Sequence, residues 1–312
     1  MSRLRADKSA SIDVSHVCRR FGVSKQSYYK RGETEFVRMA QEKFVIDFVR
    51  EVRRRDPGMC GRPLWHMYRR EFLGTQSMVG RDRFESIIDE HGLKVRQKRR
   101  KPRTTDSRHG YLVYPDLVKN IIPSRVNQIW ASDITYIPLH CDDLHADYRF
   151  CYLSMTLDLY SKEIVGYSVG DSLESVYPIE ALKMALKRIE ATDGRLIHHS
   201  DRGVQYASHA YSNLLRSHGI RISMTEGGDP KGNAQAERIN NTMKNELLYG
   251  MDFSSIKQVR EAVKQAVEFY NNERPHMSLD MMTPSEAALC EGEIRKRWTS
   301  FREKHIKNGE FS

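Results

Sequence analysis

Residues 127–139, NQIWASDITYIPL, mark the point where the chain changes from helix-forming to strand-forming sequence. β-Branched and aromatic residues dominate this stretch, as they do in strands. Two similar stretches follow closely, FCYLSMTLDLYS (150–161) and EIVGYSVGD (163–171), and their spacing is typical of an antiparallel meander. Asp133 stands in the middle of the first predicted strand, where a charge is unfavourable unless a metal or a partner compensates it.

Helices and strands alternate after the meander. Helical periodicity in SVYPIEALKMALKRIE (175–190) is followed by a short strand, RLIHHSD (195–201), a helix, SHAYSNLLRSHG (208–219), and a strand, IRISMTE (220–226). A long helix then begins near Ala234. This order predicts an α/β fold, a mixed five-stranded sheet flanked by helices.

Three carboxylates fall at corresponding places on this scaffold. Asp201 ends the fourth predicted strand, and it would meet Asp133 at one edge of the sheet if the first and fourth strands are neighbours. Glu237 follows Asp201 after 35 intervening residues, at the start of the long helix. Two of the three also have a local interpretation. Asp201 can satisfy turn amides, and Glu237 can be a solvated helix-face carboxylate.

The long helix carries two stripes at helical spacing. The apolar stripe, suited to packing on the sheet, consists of Ala236, Ile239, Met243 and Leu247. Glu237, Asn241 and Lys244 form a second stripe beside it, with Asn233 placed to cap the helix. Lys244, and Arg238 next to Glu237, suit contact with phosphate. The alternative is that these two basic side chains form ion pairs with Glu246 or Glu237.

The net charge of +10 is concentrated in the N-terminal third of the chain. Residues 1–110 contain 27 Lys or Arg and 14 Asp or Glu, so the remainder is slightly acidic. A solvated surface would explain a basic segment, but such concentration is typical of a phosphate-binding module. We therefore expect this third to bind nucleic acid.

Two motifs in this third favour DNA. Residues 12–31, IDVSHVCRRFGVSKQSYYKR, predict two short helices joined at Gly22 and Val23, with Ser24 as the N-cap of the second. This outline fits a helix-turn-helix or a plain helical hairpin; in the first case a DNA groove or its phosphates would be contacted by Lys25, Gln26, Tyr28 and Tyr29. A separate helix is expected over 36–55.

Two further helices, GRPLWHMYRREFLG (61–74) and VGRDRFESIIDEHGL (79–93), precede a basic run from Lys94 to Arg103. This run, with Arg99, Arg100 and Lys101 at its centre, is expected to lie along a phosphate backbone. The predicted organisation is a helix-turn-helix-like region (1–55), a helical DNA-binding region with a basic linker (56–104), a catalytic core (120–290) and a basic tail (291–312).

Several classes of protein are disfavoured by composition. The sequence has neither an apolar run of transmembrane length nor a signal-peptide pattern, so we expect a soluble, intracellular protein. Its five cysteines are odd in number and lack C-x-x-C spacing, which argues against a disulfide framework or a zinc site. Cys141, with His140 and His145 nearby, is therefore assigned to a loop.

Four segments together resemble a known family: WASDITYI (130–137), HHSDRGVQYAS (198–208), GNAQAERINNTMKNEL (232–247) and FYNNERPHMSLDMMTP (269–284). They are similar to the catalytic chain of insertion-sequence transposases of the IS3 group, within the retroviral integrase superfamily. The resemblance covers nearly the whole chain and is strongest over 125–287. It implies an RNase H-like fold preceded by a helical DNA-binding region.

The same resemblance implies site residues and chemistry. Asp133, Asp201 and Glu237 match the family's catalytic carboxylates, and Lys244 matches its basic residue seven positions beyond the Glu. The expected reaction is hydrolysis of phosphodiesters at the ends of the element, followed by strand transfer. Two Mg²⁺ ions, with Mn²⁺ as a substitute, suit such chemistry, Asp133 and Asp201 bridging both ions and Glu237 completing one ligand set.

The implied partners are double-stranded DNA, as terminal repeats and as target, and further copies of the chain in a homo-oligomer. A helix-turn-helix protein from an upstream reading frame, separate or fused, is a further expected partner. The chain itself is expected in the nucleoid of a bacterial cytoplasm. Two rival functions remain: a domesticated DNA-binding regulator, which has no use for three acids, and an RNase H-like nuclease without strand transfer. The basic N-terminal third argues against the second.

Overall fold

The computed structural model describes residues 14–95, 111–140, 148–189, 194–226, 232–295 and 301–308. Within these ranges the chain begins with the helices α1 (Val14–Arg20), α2 (Lys25–Arg55), α3 (Gly61–Phe72) and α4 (Arg81–Glu90). The strands are β1 (Ile129–His140), β2 (Tyr148–Asp158), β3 (Ile164–Gly170), β4 (Ile197–Ser200) and β5 (Arg221–Met224). The later helices are α5 (Val176–Leu186), α6 (Val204–Ala207), α7 (His209–Ser217), α8 (Ala234–Thr242), α9 (Ile256–Asn272), α10 (Pro284–Ala287) and α11 (Phe301–Asn308).

The five strands form one mixed sheet in the order β3-β2-β1-β4-β5. β1, β2 and β3 pair antiparallel, which confirms the predicted meander. β4 pairs parallel with β1, and β5 pairs parallel with β4. The predicted fold class is therefore confirmed, including the adjacency of the first and fourth strands.

The sheet is buried on both faces because helices cover each side. Along β1, Ile129 and Ala131 belong to one hydrophobic cluster, whereas Trp130 belongs to another with Leu182 of α5 and Tyr211 of α7. This alternation follows from the two-residue period of a strand. In the described ranges, no helix combines the length and the apolar character needed to cross a membrane.

The N-terminal helices differ from the prediction in one respect. Residues 36–55 are helical and end at Arg55 as predicted, but they belong to α2, which runs unbroken from Lys25 to Arg55 instead of beginning near residue 36. Gly32 inside it weakens the helix but does not end it, because a single glycine costs only about 1 kcal/mol relative to alanine. Ser24 is the N-cap as predicted, its hydroxyl accepting from the Ser27 N–H at 3.0 Å.

The helix that carries Glu237 also departs from regular geometry. It is α-helical over α8 and then forms a π turn over Met243–Leu247. Its apolar stripe is buried, as expected from the spacing. Asn233 occupies the N-cap position, but the predicted side-chain cap was wrong. Its Nδ2 instead donates to the Ser132 carbonyl oxygen at 2.9 Å, which fastens the start of α8 to β1.

The N-terminal helices and the sheet share a hydrophobic cluster. Val49 of α2 and Phe84 of α4 belong to the same cluster as Leu153 of β2 and Phe269 of α9. The loop after α2 makes the closest backbone approach, where the Gly58 N–H donates to the Glu246 carbonyl oxygen at 2.9 Å. The helices described between residues 14 and 95 are therefore packed against the sheet domain.

Gly58→Ala is expected to lower the free energy of unfolding by about 1–3 kcal/mol, the usual effect of overpacking. A Cβ at this position would lie 2.5 Å from Glu246 Cα and 2.8 Å from the Asn245 carbonyl oxygen, and backbone atoms cannot rotate away. The matched control is Gly61→Ala, whose Cβ would come no closer than 3.8 Å to another side chain. Urea denaturation measures both; equal midpoints for the two variants would contradict the tight approach.

Candidate active site

Parallel pairing brings Asp133 and Asp201 to the same level of two adjacent strands. In the register of β1 and β4, Ala131 lies opposite His199. Two residues further along each strand direction, the chain carries Asp133 on β1 and Asp201 just beyond β4. This is the arrangement that the sequence predicted on condition that the strands are neighbours.

α8 brings Glu237 to this edge of the sheet. The Asn233 bond to Ser132 fixes the first turn of α8 beside Asp133, and Glu237 lies in that turn, with an exposed side chain. One turn later, Asn240 Nδ2 donates to Asp133 Oδ2 at 2.7 Å. Asn240 is the site residue that the sequence interpretation missed; its one signal was its position three residues after Glu237, on the same side of the helix.

The electrostatics of Asp133 show that the carboxylates interact. Burial raises the pKa of Asp133 to about 7, and the charge of Asp201 and then that of Glu237 raise it as well. The Ile134 N–H and the Asn240 amide donate to the Asp133 carboxylate and act in the opposite direction. A cation placed among the three groups would relieve this repulsion.

Asp201 also has the local role considered for it. Its Oδ1 accepts the Gly203 N–H at 2.9 Å, so the carboxylate shapes the turn that leads into α6. A Cβ on Gly203 would lie 2.9 Å from the same oxygen, which explains a glycine at this position. The turn bond holds the Asp201 carboxylate in a fixed orientation at the end of β4.

The chemistry of the three side chains suits a hard divalent cation. Carboxylate oxygens are the ligands that Mg²⁺ prefers, and their repulsion favours a bound positive charge. Among the described residues, no three His, Cys, Asp or Glu side chains already surround a single metal position. The carboxylates therefore fit a cation by their donor type and charge.

The two histidines of β4 are packed residues. His198 is fully buried, with Nε2 2.8 Å from Ser132 Oγ and 2.9 Å from the Tyr211 hydroxyl. Burial, together with the adjacent His199, lowers the pKa of His198 to about 3, so its ring is neutral. His199 is also buried, with Nδ1 2.8 Å from Ser223 Oγ. Both rings support the strand beneath the carboxylates.

The remaining predicted contact residues lie on exposed surface or outside the described ranges. Arg238 and Lys244 are exposed beside and beyond Glu237, Lys244 within the π turn. Lys25, Gln26 and Tyr28 at the start of α2 are also exposed. Arg99, Arg100 and Lys101, like Cys141 and His145, fall outside the described residues.

The segment 269–284 makes contacts that join α9 and the residues after it to the rest of the sheet domain. α9 ends at Asn272, before Pro275, as expected for a proline-terminated helix. Asn271 accepts the Ile164 N–H and donates to the Ile164 carbonyl oxygen, both at 3.0 Å, which secures α9 to β3. Ser278 Oγ lies 2.9 Å from His276 Nδ1. Arg274 binds Glu246 in the π turn with two hydrogen bonds.

Comparison with known proteins identifies the family. Two models, each described as an integrase core domain, match residues 123–230 and 218–284. The uncharacterized 31 kDa protein of insertion element IS600 from Shigella sonnei is 31% identical over 86% of this chain and 96% of its own length. The transposase of IS629 from the same organism is 30% identical over 72% of each chain.

Other similarities are lower in coverage or in identity. Transposase InsF of IS3A from Escherichia coli K12 is 32% identical over 62% of this chain and 66% of its own. A solved structure of the HTLV-2 integrase catalytic core domain in complex with magnesium covers 53% of this chain and 97% of its own, with 18% identity and a TM-score of 0.40.

These comparisons agree on one family. The chain matches nearly all of the IS600 protein and most of the IS629 transposase, and both integrase-core models match it as well. The chain belongs to the insertion-sequence transposases of the IS3 group, polynucleotidyl transferases of the retroviral integrase superfamily that act in DNA transposition.

Proposed function

We propose that this transposase cuts and joins DNA with Asp133, Asp201 and Glu237 as its catalytic carboxylates. The observation that carries the proposal is that three separate elements bring these carboxylates to one edge of the sheet. Asp201 and Glu237 both raise the pKa of Asp133, although the three residues come from β1, the end of β4 and the start of α8. A DNA-binding protein gains nothing from such an acidic group, since carboxylates without a metal repel phosphate.

The group suits Mg²⁺, and Asp133, Asp201 and Glu237 would together hold the two ions expected for this chemistry. When bound, such ions stabilise the charge that develops on the attacking and departing oxygens of a phosphodiester. Mn²⁺, which also accepts oxygen ligands, is the expected substitute. Water would act as the nucleophile in cleavage and a 3′-hydroxyl in strand transfer.

The residues around the carboxylates orient them before substrate binds. Asn240 holds one oxygen of Asp133, and the Gly203 N–H holds one oxygen of Asp201. Fixed carboxylates lose less entropy on binding cations and reach a productive geometry more often. This orientation is the contribution of the fold, and it needs no side chain that titrates near neutral pH.

DNA binding is assigned to basic residues on both parts of the chain. Lys25, Gln26 and Tyr28 would contact element ends, Arg99, Arg100 and Lys101 would follow the backbone, and Arg238 and Lys244 would hold phosphates near the carboxylates. Two element ends must act together, which calls for at least two copies of the chain. A helix-turn-helix protein from an upstream reading frame is the further proposed partner.

Asp201→Asn should abolish cleavage and joining of labelled terminal-repeat DNA, because the amide cannot neutralise a metal ion. The expected loss exceeds about 100-fold, as for removal of a main electrostatic contributor to a transition state. Glu237→Gln should behave in the same way, and removal of Mg²⁺ by a chelator should stop the wild-type chain.

The control for this experiment is binding of the same DNA, which both variants should retain. Joining by Asp201→Asn at the wild-type rate would exclude Asp201 from the site. Cleavage without joining by the wild type would favour the nuclease alternative, and metal-independent binding alone, with the upstream-frame protein also present, would favour the regulator.

Asn240→Ala should slow joining about 10–100-fold while DNA binding is unchanged, because residues that orient metal ligands have effects of this size. Asn241→Ala is the matched control on the same helix, since Asn241 Nδ2 donates only to the Glu237 backbone carbonyl oxygen in the described contacts, at 2.7 Å. Rates are measured at saturating DNA. Equal rates for the two variants would remove the orienting role of Asn240.

Lys25→Ala should weaken DNA binding and lower the slope of log affinity against log salt by about 0.9, the loss of one phosphate contact. Lys257→Ala, an exposed lysine on α9, removes the same charge from the sheet domain and serves as the control. Binding is measured by fluorescence anisotropy over a salt series. An unchanged slope for Lys25→Ala would exclude the start of α2 from the DNA contact.

A further inference from the structure

A buried acid lies where the N-terminal helices meet the helix that carries Glu237. Asp56, directly after α2, is 0% exposed. Neither of its carboxylate oxygens has a donor at full hydrogen-bond geometry within the part of the chain that the structure describes, although the Gly58 N–H and the Glu246 carboxyl lie near the group. An ionised carboxylate in this position would be strongly disfavoured, so a specific arrangement must hold the group.

Arg274 connects this acid to a second one. Its Nε and Nη2 donate to the two oxygens of Glu246 at 2.7 and 3.0 Å, and its Nε lies 3.7 Å from Asp56 Oδ2. The Arg274 side chain is only 11% exposed. One buried guanidinium therefore faces two carboxyl groups, one from the N-terminal region and one from the π turn.

The backbone of the same turn is held by the same loop. Gly58, two residues after Asp56, donates its N–H to the Glu246 carbonyl oxygen. Glu246 lies in the π turn that continues α8, nine residues after Glu237. The side chain of Glu246 is thus held by Arg274 and its backbone by Gly58 of the N-terminal region. π turns in helices are frequent at functional sites.

We propose that Asp56, Arg274 and Glu246 form a latch through which the N-terminal helices position the α8 helix and hence Glu237. The latch rests on the catalytic role proposed above for Glu237. Arg274 and Asp56 are positioning residues, since they act through Glu246 and the π turn. Placement of the N-terminal helices on DNA would in this way set the geometry of the carboxylates.

Stability alone does not account for the latch. Buried ion pairs are often no better than well-packed apolar side chains of the same volume, and they are favoured where a specific arrangement is required. Two exposed ion pairs already join the same two regions, Arg55 with Glu273 and Arg70 with Glu286. Arg274, in contrast, is buried and reaches the continuation of α8.

The latch holds a proton near neutral pH. Burial raises the pKa of Asp56 to about 8, with the charge of Glu246 as the next cause and Arg274 opposing it. A protonated Asp56 can donate to the Glu246 carboxylate, while Arg274 neutralises the shared charge. The groups that face this cluster from the surrounding elements are Arg53, Cys60, Tyr270 and His276.

The raised pKa of Asp56 makes the stability of the folded chain depend on pH. The folded chain keeps the Asp56 proton up to about pH 8, whereas the unfolded chain loses it near pH 4, as an unperturbed aspartate does. The stabilisation is complete below about pH 4 and is lost progressively as the pH rises to about 8. Asp56→Asn keeps a neutral donor at this position and should remove the dependence.

The test uses the full-length chain with three variants: Arg274→Lys, which cannot make the paired hydrogen bonds, Asp56→Asn, and Arg70→Lys as the matched control. Hydrogen exchange of peptides covering 56–60 and 234–247 is measured without DNA or metal. Joining of terminal-repeat DNA is measured with Mg²⁺. Urea midpoints are compared between about pH 5 and pH 9.

Arg274→Lys is expected to raise exchange in both peptides and to lower joining at saturating DNA by about 10-fold or more, the effect of a misplaced catalytic group. Arg70→Lys should change neither. The wild-type urea midpoint should fall relative to that of Asp56→Asn up to about pH 8 and then level off. Asp56→Asn should keep wild-type exchange at neutral pH.

Faster exchange confined to 56–60 in Arg274→Lys would overturn the latch, and so would unchanged joining by that variant. A constant difference in urea midpoint between wild type and Asp56→Asn across the pH range would overturn the shared proton. A wild-type chain that joins no DNA would contradict the proposed function, and the exchange of 234–247 would still decide whether the latch positions α8.

Discussion

Repulsion among like charges is the constraint on which the site depends. Burial raises the pKa of Asp133, the negative charges of Asp201 and Glu237 raise it further, and the fold must hold these like charges together. Parallel pairing of β1 with β4 sets the level of the first two, and the Asn233 bond to β1 sets the third. The buried sheet beneath supplies rigidity because its strands are packed on both faces.

The sheet was predictable because its signals are local. Residue composition predicted each strand, and connection lengths predicted the meander. The adjacency of β1 and β4 could only be stated as a condition, since pairing between strands separated by 56 residues leaves no mark on either. Likewise the carboxylates could be named from their spacing and the family resemblance, whereas the Asn240 contact required the coordinates.

Interactions that join distant segments escaped prediction for a physical reason. Asp56 and Arg274 are 218 residues apart, and either alone is consistent with an ordinary surface charge. Met243 and Leu247, the first and last residues of the π turn, are both buried, whereas helix propensity alone favours regular geometry throughout. Helix was predicted over 36–55, whereas its continuity with the residues from Lys25 onward was not, because the support that a long helix gives to Gly32 is not a local signal.

The unbroken α2 sets a fixed distance within the molecule. Its 31 residues span about 46 Å, the length of roughly 14 base pairs of duplex DNA. One end of α2 follows the turn at Gly22, and the other end lies at the junction with the sheet domain. Under the proposed DNA contact at Lys25, the distance from recognised bases to the scissile bond would be a property of helix length, so element ends with altered internal spacing would be read out of register.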